Sequence, residues 1–365
     1  MTDTLRRYRY PIAVWAGSRV CVYLLLFMEG WTSRRPRNSG FDWDTVFGSL
    51  GDWDATWYRW IAQNGYDPSI GHGNTAAFFP LFPLLWRPLT WLPGPVTMWG
   101  SLLSSALLLA ALCLLYRMTQ GRFDEGMARR TVLYLAIFPL TFVFSLPYAE
   151  SLFLLLVLGA FALTWHGRWW WGCVAAAGAA LARPTGIALL PALAWRLWRT
   201  GERRPVRYLP LLLIPAAEVA FFGFLWWRTG DVLASAHAQE RGWGRGVSVL
   251  PIVFGQATWD AVSGGHLRFL VHAAFTLLWC FLIYWGWRMK LPGEYLIYSA
   301  LLILLPTTGG LLVSMGRFGM VGFPMFWALA DLGRDERVDT VVKVVFPLLL
   351  AALIFITFGP RTFTP

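Results

Sequence analysis

Apolar runs alternate with short basic or aromatic breaks along almost the whole chain. A helix needs about 20 mostly apolar residues to cross a hydrocarbon core, and about eleven segments approach that criterion, some short or interrupted. They fall near 11–29, 96–116, 131–147, 150–165, 169–182, 186–198, 208–227, 267–287, 295–313, 319–331 and 341–358. Two longer polar stretches interrupt the series, at roughly 30–95 and 228–266. The pattern predicts an all-α polytopic membrane protein, one integral domain over 1–365. There is no soluble domain, low-complexity linker or strong repeat; the one local echo is DWD at 42–44 and 52–54.

Composition supports the class. Of 365 residues, 57% are hydrophobic and 14% charged, a balance that a soluble domain could not bury. The net charge of +11 has a direction. If the N-terminus is cytoplasmic and the spans alternate, more than half of the 31 Lys and Arg residues fall in short cytoplasmic segments, where the positive-inside rule has its force. The long loops and the C-terminus then face outward. The charge is thus a topology signal and a contact for anionic lipid, not a nucleic-acid footprint. The first span follows a basic N-terminus, contains Arg19 and lacks a small-residue cleavage site, so it reads as an uncleaved signal anchor. Cys21, Cys113, Cys173 and Cys280 all fall in predicted spans as packing residues, without disulfide or CxxC metal spacing. The strong preference for Arg over Lys fits a bacterial, GC-rich source and so a bacterial plasma membrane.

The outer loops carry the candidate chemistry. Residues 51–67, GDWDATWYRWIAQNGYD, place Asp52 and Asp54 in an aromatic segment at the membrane edge, where acidic groups mark function by default. Trp53, Trp57, Trp60 and Ile61 recur at helical spacing, which predicts an amphipathic interfacial helix. Asp54, Tyr58 and Ile61 share one face, and Asp52 sits at the expected N-cap. In residues 72–92, Pro80, Pro83 and Pro88 forbid a regular long helix. That apolar piece is expected to be re-entrant or interfacial, not a span. The second loop offers His237, Gln239, Trp243 and Arg245 on a Gly-rich turn. Glu150 lies in a very short outer turn, Arg183 at the outer end of the fifth span and Arg317 between the ninth and tenth. Two acids, several arginines and aromatic surfaces on one membrane face suit a charged, lipid-borne substrate.

Bland readings stand beside these. Asp54 can serve only as a helix ion-pair partner, and Asp52 more readily as a cap than as a catalyst. Arg183, before Pro184, can satisfy carbonyls freed at a helix break, and Arg317 can snorkel. Asp42 and Asp44 read as solvated loop acids, and His72 and His237 as ordinary loop residues. Glu218, inside a span, has Arg19 as a candidate partner. No metal is required if arginines carry the charge work, although Asp52, Asp54 and His72 have the donor atoms for a divalent ion.

WDATWYRWIAQNGY, FFPLFPLL, PYAESLF, ARPTG, DVLASAHAQERGWGR and MGRF occur in this order between about residues 50 and 325. The ordered set resembles the bacterial branch of the glycosylphosphatidylinositol mannosyltransferase II (PIG-V-like) family, within the GT-C superfamily of polytopic glycosyltransferases. The resemblance implies a GT-C fold whose long first extracytoplasmic loop carries interfacial helices. It implies an inverting mannosyltransferase that uses a polyprenyl-phosphate-mannose donor at the outer face of the membrane. The acidic residue of the first outer loop, Asp54 here, is then the expected base. The position of Asp52 is often basic in such relatives, so how the two acids divide the work is open.

Chemistry gives the remaining roles. A sugar hydroxyl is a poor nucleophile until a base takes its proton, and Asp54, with Asp52 beside it, is the candidate. Arg245, Arg183 and Arg317 are candidates for the leaving phosphate. Tyr58, Gln239, Trp243 and Glu150 are candidate substrate contacts. The acceptor is a glycolipid, glycan or protein. Other GT-C activities, protein O-mannosyl or arabinosyl transfer, would share these features. A lipid or sugar transporter fits less well, because transporters gather polar groups near the bilayer midplane.

Overall fold

Among the described residues, five helices are long and apolar enough to cross a membrane: Tyr8–Gly30, Val96–Arg122, Pro205–Thr229, Phe269–Arg288 and Glu336–Phe358. The computed structural model describes residues 2–33, 49–67, 73–244, 268–309 and 312–359, with single positions 252, 255, 259 and 363. Among the described residues the chain is helical and contains no strand. In chain order the helices are α1 (Thr2–Ser33), α2 (Asp54–Asn64), α3 (Leu81–Trp86), α4 (Val96–Arg122), α5 (Glu125–Ala136), α6 (Glu150–Trp165), α7 (Trp169–Ala182) and α8 (Leu189–Arg199). They continue as α9 (Leu213–Thr229), α10 (Ala234–Trp243), α11 (Arg268–Arg288), α12 (Gly293–Thr307), α13 (Met315–Met320), α14 (Phe323–Leu332) and α15 (Glu336–Phe358).

Several expected spans are shorter or broken. α6, α7, α12 and α14 are apolar but have only 10–17 residues. Residues 186–198 are split between a 3-10 turn, Pro184–Ala188, and α8. Residues 131–147 are not one span either. α5 ends at Ala136, and the chain continues through the 3-10 turn Thr141–Ser145 before α6 starts. Pro139 and Pro147 interrupt the helical ladder there. The freed polar groups lie in a fully buried stretch, so they need partners. Arg19 supplies them. Its guanidinium donates to the Thr141 carbonyl at 3.0 Å, Thr141 Oγ1 at 2.9 Å, Ser145 Oγ at 2.8 Å and the Ala136 carbonyl at 3.4 Å. Ser101 Oγ donates to the Ser145 carbonyl at 2.5 Å. The expected Arg19–Glu218 pair is therefore absent: Arg19 is consumed by the broken segment, and Glu218 Oε1 on α9 is buried without a hydrogen-bond partner.

Gly186 shows how closely the break after α7 is packed. A Cβ there would lie 2.4 Å from the Ala180 backbone, a contact that no side-chain rotation relieves. The four cysteines are free; Cys173 is buried, whereas Cys21 and Cys280 lie on exposed helix faces and so are not core packing residues. As expected, the described residues 73–92 do not form a span. Three short helical pieces, Gly73–Ala77, α3 and Arg87–Trp91, follow one another, and none is long enough to cross a membrane. Phe78, Phe79, Phe82 and Trp86 face inward, while Leu84, Leu85 and Trp91 are exposed.

Candidate active site

α2 is amphipathic as its spacing predicts: Ala55, Tyr58, Ile61 and Ala62 are buried, and Gly65 ends the helix with φ 81°. Its start differs from expectation. The N-cap position falls on Trp53, not Asp52, and the Trp53 side chain makes no capping hydrogen bond. Trp53 adopts φ 52°, in the left-handed region that a bulky residue rarely visits. Its ring meets Phe358 of α15 edge-on, 5.3 Å between centroids. This strained entry sets Asp54 as the first helical residue. The carbonyl of Asp52 accepts a long hydrogen bond from Tyr148 Oη at 3.5 Å.

Three other elements bring charge to Asp54. α6 opens with Glu150, directly after the buried segment that Arg19 secures. Arg183 closes α7 in an extended conformation, as expected of a residue before proline. Arg317 lies on α13, entered through Ser314 at φ 68°. Thus two of the three described non-glycine residues with positive φ, Trp53 and Ser314, introduce the helices that carry Asp54 and Arg317. Such strain is concentrated at functional sites.

The four side chains form a linear alternating chain. Arg317 Nη1 donates to Asp54 Oδ2 at 2.5 Å, Arg317 Nε lies 3.3 Å from Glu150 Oε1, and Arg183 Nη1 lies 2.5 Å from the same oxygen. The set is formally neutral. Asp54 is its open end, with 19% side-chain exposure against 4% for Glu150 and 8–9% for the arginines. Arg183 Nη1 and Arg317 Nε are ion-paired by distance but make no well-aligned hydrogen bond. Both guanidiniums therefore retain donor capacity. Aromatic faces hold them in place: Arg317 lies 5.3 Å from the rings of Tyr148 and Phe318, and Arg183 4.9 Å from Phe318 and 5.8 Å from Phe153.

Tyr58 and Tyr148 line the same cluster and remain protonated. Burial pushes each phenol up, and the carboxylates of Glu150 and Asp54 push further, against Arg317 at both and Arg183 at Tyr58. For Arg317, burial alone would lower the pKa, but Asp54 and Glu150 outweigh it and raise it.

Gln239 and Trp243 lie one layer away. They sit on α10, a regular helix ended by Gly244 at φ 63°, and not on a Gly-rich turn. Gln239 Nε2 donates to the Ala77 carbonyl at 3.3 Å, and the Trp243 ring meets Phe78 at 5.6 Å. Phe78 in turn abuts Tyr58 at 5.1 Å. His237 pairs with Asp231 at 2.7 Å, a bond that lowers the pKa of the Asp231 carboxyl, and stays outside the cluster. Arg245, Asp42, Asp44 and His72 lie outside the described residues. Among the described residues no group of three or more His, Cys, Asp or Glu is placed to hold a metal ion. Tyr148, Phe318 and Phe153 were not singled out from sequence. All three do fall in the quoted PYAESLF and MGRF motifs, close to the charged residues that they support.

No protein-family model matches the chain, and a search of curated proteins returns no match. Among solved structures, the chain is similar to an oligosaccharyltransferase from Archaeoglobus fulgidus tethered to an acceptor peptide containing the NVT sequon. The identity is 12% over 99% of this chain and 55% of that one, with a TM-score of 0.48. The complex of that enzyme with Zn and sulfate matches at 13% identity, over 94% and 53% of the two chains, with a TM-score of 0.42. The chain spans about half the length of these structures. Neither similarity assigns an activity to this chain.

Proposed function

We propose that the chain is a GT-C membrane glycosyltransferase that moves mannose from a polyprenyl-phosphate donor to an acceptor hydroxyl at the outer face of a bacterial plasma membrane. The observation that carries this reading is the Asp54–Arg317–Glu150–Arg183 chain, whose open end is a carboxylate. The ordered motifs between residues 50 and 325 add to it, since four of them deliver these four residues.

The reaction is a single displacement. The acceptor oxygen attacks the anomeric carbon, and the bond from that carbon to the phosphate oxygen breaks. Its electron pair leaves with polyprenyl phosphate, and the hydroxyl proton passes to Asp54. A β-linked donor then gives an α-linked product. In the resting site Asp54 is held by Arg317. An incoming phosphate competes for the same guanidinium, whose planar fork matches phosphate oxygens. Donor binding thereby draws Arg317 toward the leaving group and frees Asp54 to accept the proton. Arg183 and Arg245 add to the phosphate site. Glu150, the most buried member, orients both arginines. Tyr58 donates to the sugar, with Gln239 and Trp243 at the outer wall. The exposed side of residues 78–91 guides the polyprenyl chain.

The test is donor consumption by membranes that contain the protein. Radiolabelled polyprenyl-phosphate mannose should pass into a new glycolipid, glycan or protein product. Use of another polyprenyl-phosphate sugar in its place would overturn the mannose assignment. No consumption of any lipid-linked sugar, with any acceptor extract, would overturn the transferase.

A further inference from the structure

A second set of charges lies at the opposite ends of the helices that frame the site. α8 starts just after Arg183 and ends at Arg199, and α12 ends before Arg317 and begins at Gly293. α12 alone separates its two ends by about 20 Å at 1.5 Å per residue. α8 and α12 pack together, and the end of α11 joins them. Between these ends is a cavity of about 470 Å³ lined by Trp195, Arg199, Trp287, Lys290 and Glu294, in the size range of small-molecule sites.

Its charge is uncompensated. Glu294, the acidic wall residue, is taken by Arg196 at 2.9 Å. Arg199 and Lys290 are exposed and have no ion-pair partner among the described residues. The cavity therefore presents two free cations beside a neutral pair. Two indoles, Trp195 and Trp287, 40% and 62% exposed, complete the lining with the Leu291–Gly293 turn. The turn that carries Lys290 is firmly built. Lys290 is the third described non-glycine residue with positive φ, at 59°. Its N–H donates to the Trp287 carbonyl at 3.0 Å, and that of Leu291 to the Gly286 carbonyl at 3.0 Å. Trp195 packs directly on the same turn, for a Cβ on Gly293 would lie 2.4 Å from its Nε1.

We propose that this cavity binds the phosphate of an anionic phospholipid in the leaflet opposite the Asp54 site. Arg199 and Lys290 hold the phosphate oxygens, while Trp195 and Trp287 meet the glycerol and upper acyl region. Basic pockets between membrane helices recognise such headgroups, and indoles favour this depth.

The test uses the full-length, lipid-stripped protein in detergent, with bound lipid counted by native mass spectrometry. Phosphatidylglycerol should be retained over phosphatidylcholine. Arg199→Gln with Lys290→Gln should weaken its binding roughly 30-fold, from the effect of two basic residues at a surface. Arg199→Lys with Lys290→Arg, which keeps both charges, should bind like wild type and guards against misfolding. Arg204→Gln with Arg207→Gln removes equal charge nearby and should change binding by less than about threefold. Equal loss in both glutamine pairs, or no loss in either, would overturn the site. Displacement of the lipid by millimolar inorganic phosphate would overturn the lipid source in favour of a soluble phosphate ester.

Discussion

Arg317 is the residue on which the site turns, because it reaches two carboxylates through different nitrogens, Nη1 to Asp54 and Nε to Glu150. A lysine has one ammonium and cannot reproduce that fork. Arg317→Lys should lower transfer about 10²-fold, the scale of removing one oriented donor from a developing negative charge. Transfer rates with a saturated donor would show it, and near-wild-type turnover would remove Arg317 from the phosphate site. Glu150→Gln should act on folding first. It leaves two buried arginines short of a counter-charge, a defect worth about 3–5 kcal/mol. Asp54, at the open end, should matter less to stability. Thermal melts in detergent should therefore rank Glu150→Gln well below Asp54→Asn, and the reverse order would contradict the burial pattern. Glu150, Arg183 and Arg317 were legible from sequence as rare charges at or between predicted span ends, and Asp54 as an acid in the first outer loop. Their pairing was not, because it joins positions up to 263 residues apart. The partner of Arg19 was misread for a related reason: a buried arginine can be satisfied by backbone carbonyls, which leave no trace in residue identity.

The helical elements place these charges by ending in particular ways. Trp53 and Ser314 enter α2 and α13 at positive φ, and Pro184 turns Arg183 out of the axis of α7. Gly186 permits the chain to double back over Ala180. Gly186→Ala should destabilise the protein by about 1–3 kcal/mol or more, since its nearest neighbour is backbone, and should weaken donor use through displacement of Arg183. Thermal unfolding together with the donor KM would register both effects; an unchanged KM in a folded variant would separate Arg183 from the donor. Amphipathic α2 and the proline-broken 72–92 segment were readable, since their periodicity and breakers are local. The interruption of 131–147 was hidden by its uniform apolar character, although Pro139 and Pro147 were in view. α10 was mistaken for a turn because Gly244 and the charged run masked a ten-residue helix.

Across the whole molecule, the acid–arginine cluster sits at one end of the helices and a basic cavity with two indoles in its lining at the other. With the Asp54 end proposed to face outward, that polarity predicts a topology. In a cysteine-free background, Asn64→Cys on α2 should react with an impermeant maleimide in intact cells. Thr200→Cys, just beyond α8, should react only after permeabilisation. The opposite pattern would invert the proposed orientation. The multi-pass class was plain from composition, because burial of so much apolar surface needs a lipid solvent. The number of crossings was not, because short apolar helices and true spans share one composition. The central claim is that Asp54 is the base of a lipid-dependent transferase, and one assay reaches it directly. Membranes with equal amounts of wild type or Asp54→Asn are given radiolabelled polyprenyl-phosphate mannose, and product formation is followed. The account predicts that the Asn variant is slower by about 10²–10⁴-fold, the usual contribution of a general base. Transfer within a few-fold of wild type would show that the proton goes elsewhere and that this site is not the catalytic centre.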